Sequence, residues 1–430
     1  MMSGRFLLLG FIIYVFLLSG LLTLNGVLVA MLVPFVVFLA AAYQYAPREV
    51  QIKLSRTISS SFVFPGSEVE VTLQVENQSQ ESYEVLLEDQ LPNDLELLNG
   101  QPRLLAVIPP GEAAELAYSV RGPRGGFYFR PVLVTVFDRL GLFAKNLELE
   151  APGQILVKPD VARVRPLTVR PPRTHGFTGA IPGRRGGSGT NFLGVRDYQL
   201  GDLQRRINWK ATARHEMGLF TNEFERERIA DVGLILDART RTNVQAPRGS
   251  LFEHGVTAAA ALADMFLQSG NRVGLLIYGR GQETTFPGYG KVQREKILRA
   301  LAQASPGDNM ALETFSYLPT RFFPPRSQVV LISPLCQEDL AVLARLRSYG
   351  YQLLVVSPDP VEYEGRMYGF QATQPLAVRI AGLERQLLIR RLQRSGVLVV
   401  DWQVEQPLTQ AIFTAIGRSA GQPSRGRLQL

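Results

Sequence analysis

The sequence predicts three architectures in series: two N-terminal transmembrane helices, an all-β sandwich, and a C-terminal α/β domain with a mostly parallel sheet. Three observations carry this. No charged residue lies between Arg5 and Arg48, a run of 42 residues. From about residue 50 to 157, short strand-like runs recur between turn signals. From Val232 onward, near-continuous apolar runs alternate with helical patterns, as in a parallel sheet covered on both faces.

A membrane-crossing helix needs about 20 apolar residues, so the uncharged run holds two, Phe6–Leu24 and Val27–Tyr45. Asn25-Gly26 supplies the turn. Arg5 precedes the pair, and Arg48, Lys53 and Arg56 follow it. Both ends are therefore expected to face the cytoplasm. The hairpin takes residues 1–47.

Residues 48–158 follow as the sandwich. The run Glu68–Glu76 alternates strictly between apolar and polar, which marks a half-buried strand. Further strands are expected at Tyr83–Glu88, Leu104–Ile108, Glu115–Arg121, Val132–Phe137 and Ile155–Lys158. Pro65-Gly66, Asn99-Gly100, Pro109-Pro110-Gly111 and Gly122-Pro123 break them apart. Regular short strands of this kind suggest an immunoglobulin-like sandwich. It carries no polar cluster suited to chemistry, so a scaffold or binding role is expected.

The chain holds 430 residues, one cysteine (Cys336), three histidines (His175, His215, His254) and a net charge of +8. One cysteine excludes an internal disulfide framework, and the histidines leave little material for zinc. Thirteen basic and six acidic residues fall between Val161 and Arg228, so that stretch alone carries an excess of seven. It lies within 159–228, expected to form a basic linker and a motif block. Residues 159–188, rich in proline, glycine and arginine, read as linker. Gly183–Thr190 lacks the Gly-Lys-Ser/Thr ending of a phosphate loop.

In the block, Gly201 permits a turn and Asp202 reads as an N-cap. A helix over Leu203–Ala213 is expected, with Asp202 spaced to pair with Arg206 and Trp209 as a core anchor. Gly218–Glu225 reads as a strand. The α/β domain, 229–416, then places strands at Val232–Asp237, Arg272–Tyr278, Gln328–Ser333, Gln352–Ser357 and Val397–Trp402. Helices fall at Leu251–Gln268, Gln293–Ala302, Asp339–Tyr349, Leu383–Arg394 and Leu408–Ile416. Residues 417–430 are expected to be a flexible tail.

Gly201, Asp202, Arg205, Ile207, Trp209, Ala213 and Arg214, followed by Glu223-Phe224-Glu225 and a strand ending at Asp237, resemble the signature of the family catalogued as domain of unknown function 58. That resemblance implies the order already read: two spans, a β-domain, the motif, and a von Willebrand factor A-like domain. It also implies a protein partner among AAA ATPases of the MoxR group. In metal-binding A-like domains a first loop Asp-x-Ser-x-Ser, a Thr in a second loop and an Asp in a third hold magnesium. Here the first loop is Asp237-Ala238-Arg239-Thr240-Arg241, with arginine at both serine positions. The second is placed at Gly307-Asp308-Asn309 and the third at Ser333-Pro334. A guanidinium offers donors only, whereas magnesium requires oxygen ligands. The site is therefore read as degenerate, with no cofactor expected. An ion pair from Arg239 or Arg241 to Asp237 or Asp308 is expected in the metal's place.

The leading functional expectation is a non-enzymatic, membrane-anchored adaptor that binds a protein partner and sits at the lipid bilayer. Gly201, Asp202, Arg205, Ile207, Trp209, Ala213, Arg214 and Glu223 are the partner-binding candidates. An alternative is a metal-dependent phosphoesterase using Asp202, His215, Glu223 or Asp237. Nucleic-acid binding through the basic block is the least favoured reading, since regular aromatic interleaving is missing.

Overall fold

The computed structural model describes residues 4–44, 50–137, 142–165, 181–214, 218–228, 230–246, 249–308, 323–325, 327–369 and 376–420. The chain divides into two compact units, Met1–Lys158 and Pro159–Leu430.

The first unit opens with three apolar helices, α1 (Gly4–Leu22), α2 (Gly26–Ala30) and α3 (Leu32–Gln44). Asn25 caps α2 by accepting the Val27 N–H, so the expected turn is in place. The α2–α3 break has a local cause. Pro34 has no N–H to donate to the carbonyl of Ala30, one turn back. Two spans were expected. Among the described residues only Gly26–Tyr43 is long and apolar enough to cross a membrane, a property signal sequences share. The apolar stretch before it is Leu8–Leu22, and the chain turns after it at Thr23–Leu24.

Eleven strands follow: β1 (Ile52–Ile58), β2 (Phe62–Val63), β3 (Val69–Asn77), β4 (Tyr83–Glu88), β5 (Glu96–Gly100), β6 (Arg103–Ile108), β7 (Ala113–Arg121), β8 (Gly125–Tyr128), β9 (Val132–Phe137), β10 (Ala144–Leu149) and β11 (Gln154–Val157). They build two four-stranded antiparallel sheets, β1-β3-β7-β5 and β10-β9-β4-β6, with a small third sheet β2-β11-β8. Alternation in β3 buries Val71, Leu73 and Val75. These share one core with Val85 and Leu87 of β4 and Val134 and Val136 of β9. The core also contains a charged pair: Arg56 meets Asp89 at 2.6 Å with both side chains fully buried. Tyr118 donates to the other Asp89 oxygen at 2.5 Å, and the Arg56 guanidinium lies 4.4 Å from the Phe129 ring centre. Burial, then the bond to Asp89, holds the Tyr118 hydroxyl far above its ordinary range.

The second unit begins with a long antiparallel hairpin, β12 (Ile181–Asp197) and β13 (Phe220–Arg228). Residues 181–188, expected as linker, are thus strand. Pairing with β13 supplies the partners that a glycine-rich stretch read by itself lacks. Between the strands lie a 3-10 turn, Gln204–Arg206, and a one-turn helix α4 (Trp209–Thr212).

The α/β body comprises β14 (Asp231–Asp237), a small hairpin of β15 (Gln245–Ala246) and β16 (Gly249–Ser250), α5 (Leu251–Gln268), β17 (Arg272–Tyr278), β18 (Gln282–Gly288), α6 (Gly290–Gln303), β19 (Gln328–Ile332), α7 (Asp339–Ser348), β20 (Gln352–Pro358), α8 (Pro360–Met367), α9 (Leu376–Arg394), β21 (Leu398–Trp402) and α10 (Leu408–Ala420). Helix α10 takes in residues 417–420, which were expected to be tail. The sheet runs β18-β17-β14-β19-β20-β21. Five strands are parallel, and β18 adds an antiparallel edge through its hairpin with β17. All seven residues of β14 are buried, as a central parallel strand requires. Functional groups in such sheets gather beyond the carboxyl ends of the strands, and β14 ends at Asp237.

Candidate functional site: a guanidinium at the carboxyl edge and an exposed motif block

Beyond β14 the chain turns back on itself, and Arg239 is drawn into the interior with 2% exposure. Its Nε and one terminal nitrogen donate to the two oxygens of Asp237 at 2.8 and 2.7 Å. Its terminal nitrogens also reach Asp339, at the start of α7, at 3.0 and 2.9 Å. One guanidinium therefore bridges two buried carboxylates. Ser333, at the end of β19, donates its hydroxyl to Asp237 at 2.6 Å, and the Cys336 N–H donates to Asp339 at 2.9 Å. Burial works against the charge on Arg239, but Asp237 and Asp339 hold it above its ordinary range. Asp339 is pushed up because burial outweighs its bonds to Arg239. The cluster carries one net negative charge, and its compensation by Arg239 is incomplete.

This donor set does not fit magnesium. Both Asp237 oxygens are taken by donors, and a positive group occupies the space between the carboxylates. The second carboxylate is Asp339, which the sequence reading did not single out. Asp308 instead accepts the backbone N–H of Thr240 at 2.9 Å, and Arg241 reaches Glu338 at 3.6 Å near the surface. No group of three metal-ligating acids, histidines or cysteines occurs among the described residues. The turn is closed by a tight approach: a Cβ on Gly279 would lie 2.5 Å from the Ala238 carbonyl oxygen.

Cys336 lies beside this cluster, partly buried. Burial, then Asp339, pushes its thiol up to about 11. His254 stacks edge-on against Tyr363 and Trp402, with ring centres 5.7 and 6.4 Å away. Burial lowers its basicity.

The motif block differs from its expected form. Asp202 is not a helix cap. It receives two bonds from Arg196, at 2.8 and 2.7 Å, and one from the Gln199 N–H. The bonds from Arg196 hold its carboxyl below the usual range. Arg196 also approaches Glu223 at 3.8 Å. Arg196 therefore takes the role expected of Arg206. Gly201, at φ +108°, does supply the turn. No helix spans Leu203–Ala213, because Ile207 is extended and bridges Thr221 of β13. The one-turn helix is capped by Asn208, which accepts the Ala211 N–H. Thr212 accepts the Phe220 N–H.

Trp209 is 67% exposed, which overturns its expected place in a core. A single helical turn pinned along a hairpin buries one face only, and the indole lies on the other. Leu200, Leu203, Arg205, Lys210, Ala213 and Arg214 are exposed as well. Among the described residues, Arg205, Lys210 and Arg214 make no ion pair. His215 lies outside the described residues.

The chain thus pairs a β-rich unit with an α/β unit whose carboxyl edge is sealed by arginine and whose entry hairpin displays an aromatic, basic block. Residues 194–365 match the family model described as Protein of unknown function DUF58, the family that the block resembles. The chain is also 28% identical over 259 residues to the Uncharacterized protein YeaD of Bacillus subtilis (strain 168). That similarity covers 59% of this chain and 62% of the relative, so the chain spans less than two thirds of the relative's length. Solved structures with local similarity include the major pilin subunit BcpA of Bacillus cereus, at 8% identity and TM-score 0.21 over 25% of this chain and 41% of that one. A FixG-related protein of Vibrio parahaemolyticus is 18% identical with TM-score 0.18, over 25% and 96%. Scores this low carry no structural argument.

Proposed function

We propose that the protein is a membrane-anchored, non-enzymatic adaptor whose motif block docks a protein partner. The observation that carries this is Trp209, two-thirds exposed in a block that also presents Leu200, Leu203, Arg205, Lys210 and Arg214. Tryptophan and arginine are enriched among residues that dominate binding energy. An exposed tryptophan held by a capped turn loses little freedom on binding.

The carboxylates an enzyme would use are occupied in ways that favour the adaptor reading. Asp202 is held by Arg196 and Asp237 by Arg239, so neither is placed as a free base or a metal ligand. In this reading the N-terminal helices form a two-span anchor with both soluble units in the cytoplasm, the sandwich is immunoglobulin-like, and the α/β unit is von Willebrand factor A-like. The partner is a MoxR-type AAA ATPase, an assignment that rests on family analogy.

The test is direct binding of the full-length chain, in detergent, to a MoxR-type ATPase from the same genome. Trp209→Ala should weaken the complex by about 2 kcal/mol, roughly 30-fold in Kd. No binding by the unsubstituted chain, or equal binding by both chains, refutes the reading.

A further inference from the structure

We propose that the outward face of α9 is a second, independent docking seam, and that its occupant is an amphipathic helix of another protein carrying an acidic end. Leu376, Ile380, Leu383 and Leu387 are 69, 47, 61 and 52% exposed. Their spacing of four, three and four residues places them along a single face. The opposite face carries Arg385, Leu388, Ile389 and Leu392, all buried, and anchors α9 to the domain. The helix thus has two apolar faces, and one has no cover among the described residues.

Width and charge decide the occupant. A strict seam of this spacing is narrower than the stripe of a helix lying on a core or a lipid surface, and matches a helix–helix contact. At 3.6 residues per turn, Arg390, Arg391 and Arg394 continue the same face beyond Leu387. Those three arginines are exposed and make no ion pair among the described residues. A second copy is a poor match. Parallel pairing sets the arginine clusters against each other. Antiparallel pairing sets each cluster against the start of α9, where residues 376–380 carry Arg379 and no acid. Leucines on the partner would fill the seam, and glutamates or aspartates at one end would meet the arginines.

Leu383 also lines a cavity of about 730 Å³ between α8 and α9. Most of the charges there are internally matched, Arg385 with Asp359 and Asp401, and Arg366 with Glu362, while Arg379, which also lines the cavity, adds a positive charge to the same helix. Selectivity therefore comes from the arginine cluster, with the cavity admitting an apolar side chain.

The experiment uses the full-length chain in detergent and two synthetic helical peptides. Both carry the same leucine seam; one ends in four glutamates, the other in four lysines. The acidic peptide should bind, more weakly as salt rises, and the lysine peptide at least tenfold more weakly. Leu383→Asp should reduce binding of the acidic peptide at least tenfold. Joint reversal by Arg390→Glu, Arg391→Glu and Arg394→Glu should switch the preference to lysine. Equal binding of both peptides, or of neither, overturns the proposal. Cross-linking of two chains through Leu383→Cys overturns it in favour of self-association. Leu383-dependent binding to vesicles of anionic lipid, without peptide binding, overturns it in favour of a membrane contact. Trp209→Ala should leave peptide binding unchanged, which separates this seam from the motif block.

Discussion

Replacing Arg239 by methionine removes a charge while nearly preserving volume, so its effect isolates the ion cluster. The guanidinium makes four side-chain bonds to two carboxylates that are themselves buried. Removing one partner of a buried pair costs about 3–5 kcal/mol, because the charge left behind is uncompensated. Here two are left. Both reach the same nitrogen, at 2.7 and 2.9 Å, which sets the carboxylates within the range of about 4–6 Å where the charge of Asp237 raises the pKa of Asp339. At about 2–4 °C per kcal/mol for a domain of this size, thermal unfolding of the variant at pH 7 should fall by roughly 10 °C. The sign with pH follows. A carboxylate whose folded pKa is raised stabilises the fold below its unfolded value and loses that contribution as pH rises through the folded value. The deficit of the variant should therefore shrink as pH falls from 7 towards 4. Calorimetry of the full-length chain in detergent across that range measures both. A variant that melts within about 2 °C of the parent at pH 7 would refute the argument. A companion substitution, Arg239→Ser, removes the cation and supplies an oxygen. It should gain thermal stability from millimolar magnesium by mass action, whereas the parent should not respond.

The same logic applies to the sandwich. Asp89→Ala strands Arg56 in the core and should destabilise that unit by about 3–5 kcal/mol, read by denaturant unfolding. Cys336, held up to about 11, should react with a maleimide at pH 8 far more slowly than a free thiol, and at the ordinary rate once urea unfolds the chain. His254, lowered by burial, binds its proton less readily folded than unfolded. Its contribution is complete above pH 6.5 and is lost as pH falls below that value towards its folded pKa. A His254→Phe variant should show less acid destabilisation between pH 6.5 and 5.

Much of the fold was legible because its strands obey simple periodicities. Tyr83–Glu88, Val132–Phe137, Arg272–Tyr278 and Leu251–Gln268 fall where alternation or apolar runs place them. Strands such as β5 and β18 were not read. β5 is exposed along its whole length, and β18 is an edge largely open to solvent, so neither needs an apolar pattern. The Asp237–Arg239 pair was accessible to reasoning from loop chemistry, because the arginine at the position where the resemblance implies a metal ligand has an acid two residues away. Asp339 was not, since its contact with Arg239 spans a hundred residues of sequence. Trp209 misled for a general reason. Large aromatics are usually buried, and only the shortness of α4, set by the bridge between Ile207 and Thr221, turns this one outward.

The entry hairpin has a mechanical consequence. The motif block is fastened to β13 by the Ile207–Thr221 bridge and the Asn208–Asn222 bond, and β13 runs with two intervening residues into β14. A pull exerted by anything gripping Trp209 enters β14 at its N-terminal end and runs lengthwise along it. The hydrogen-bond ladders to β17 and β19 on either side are then loaded all together in shear, not opened one at a time. A chain wired in this way can bear tension at its motif block without unravelling the sheet that supports it.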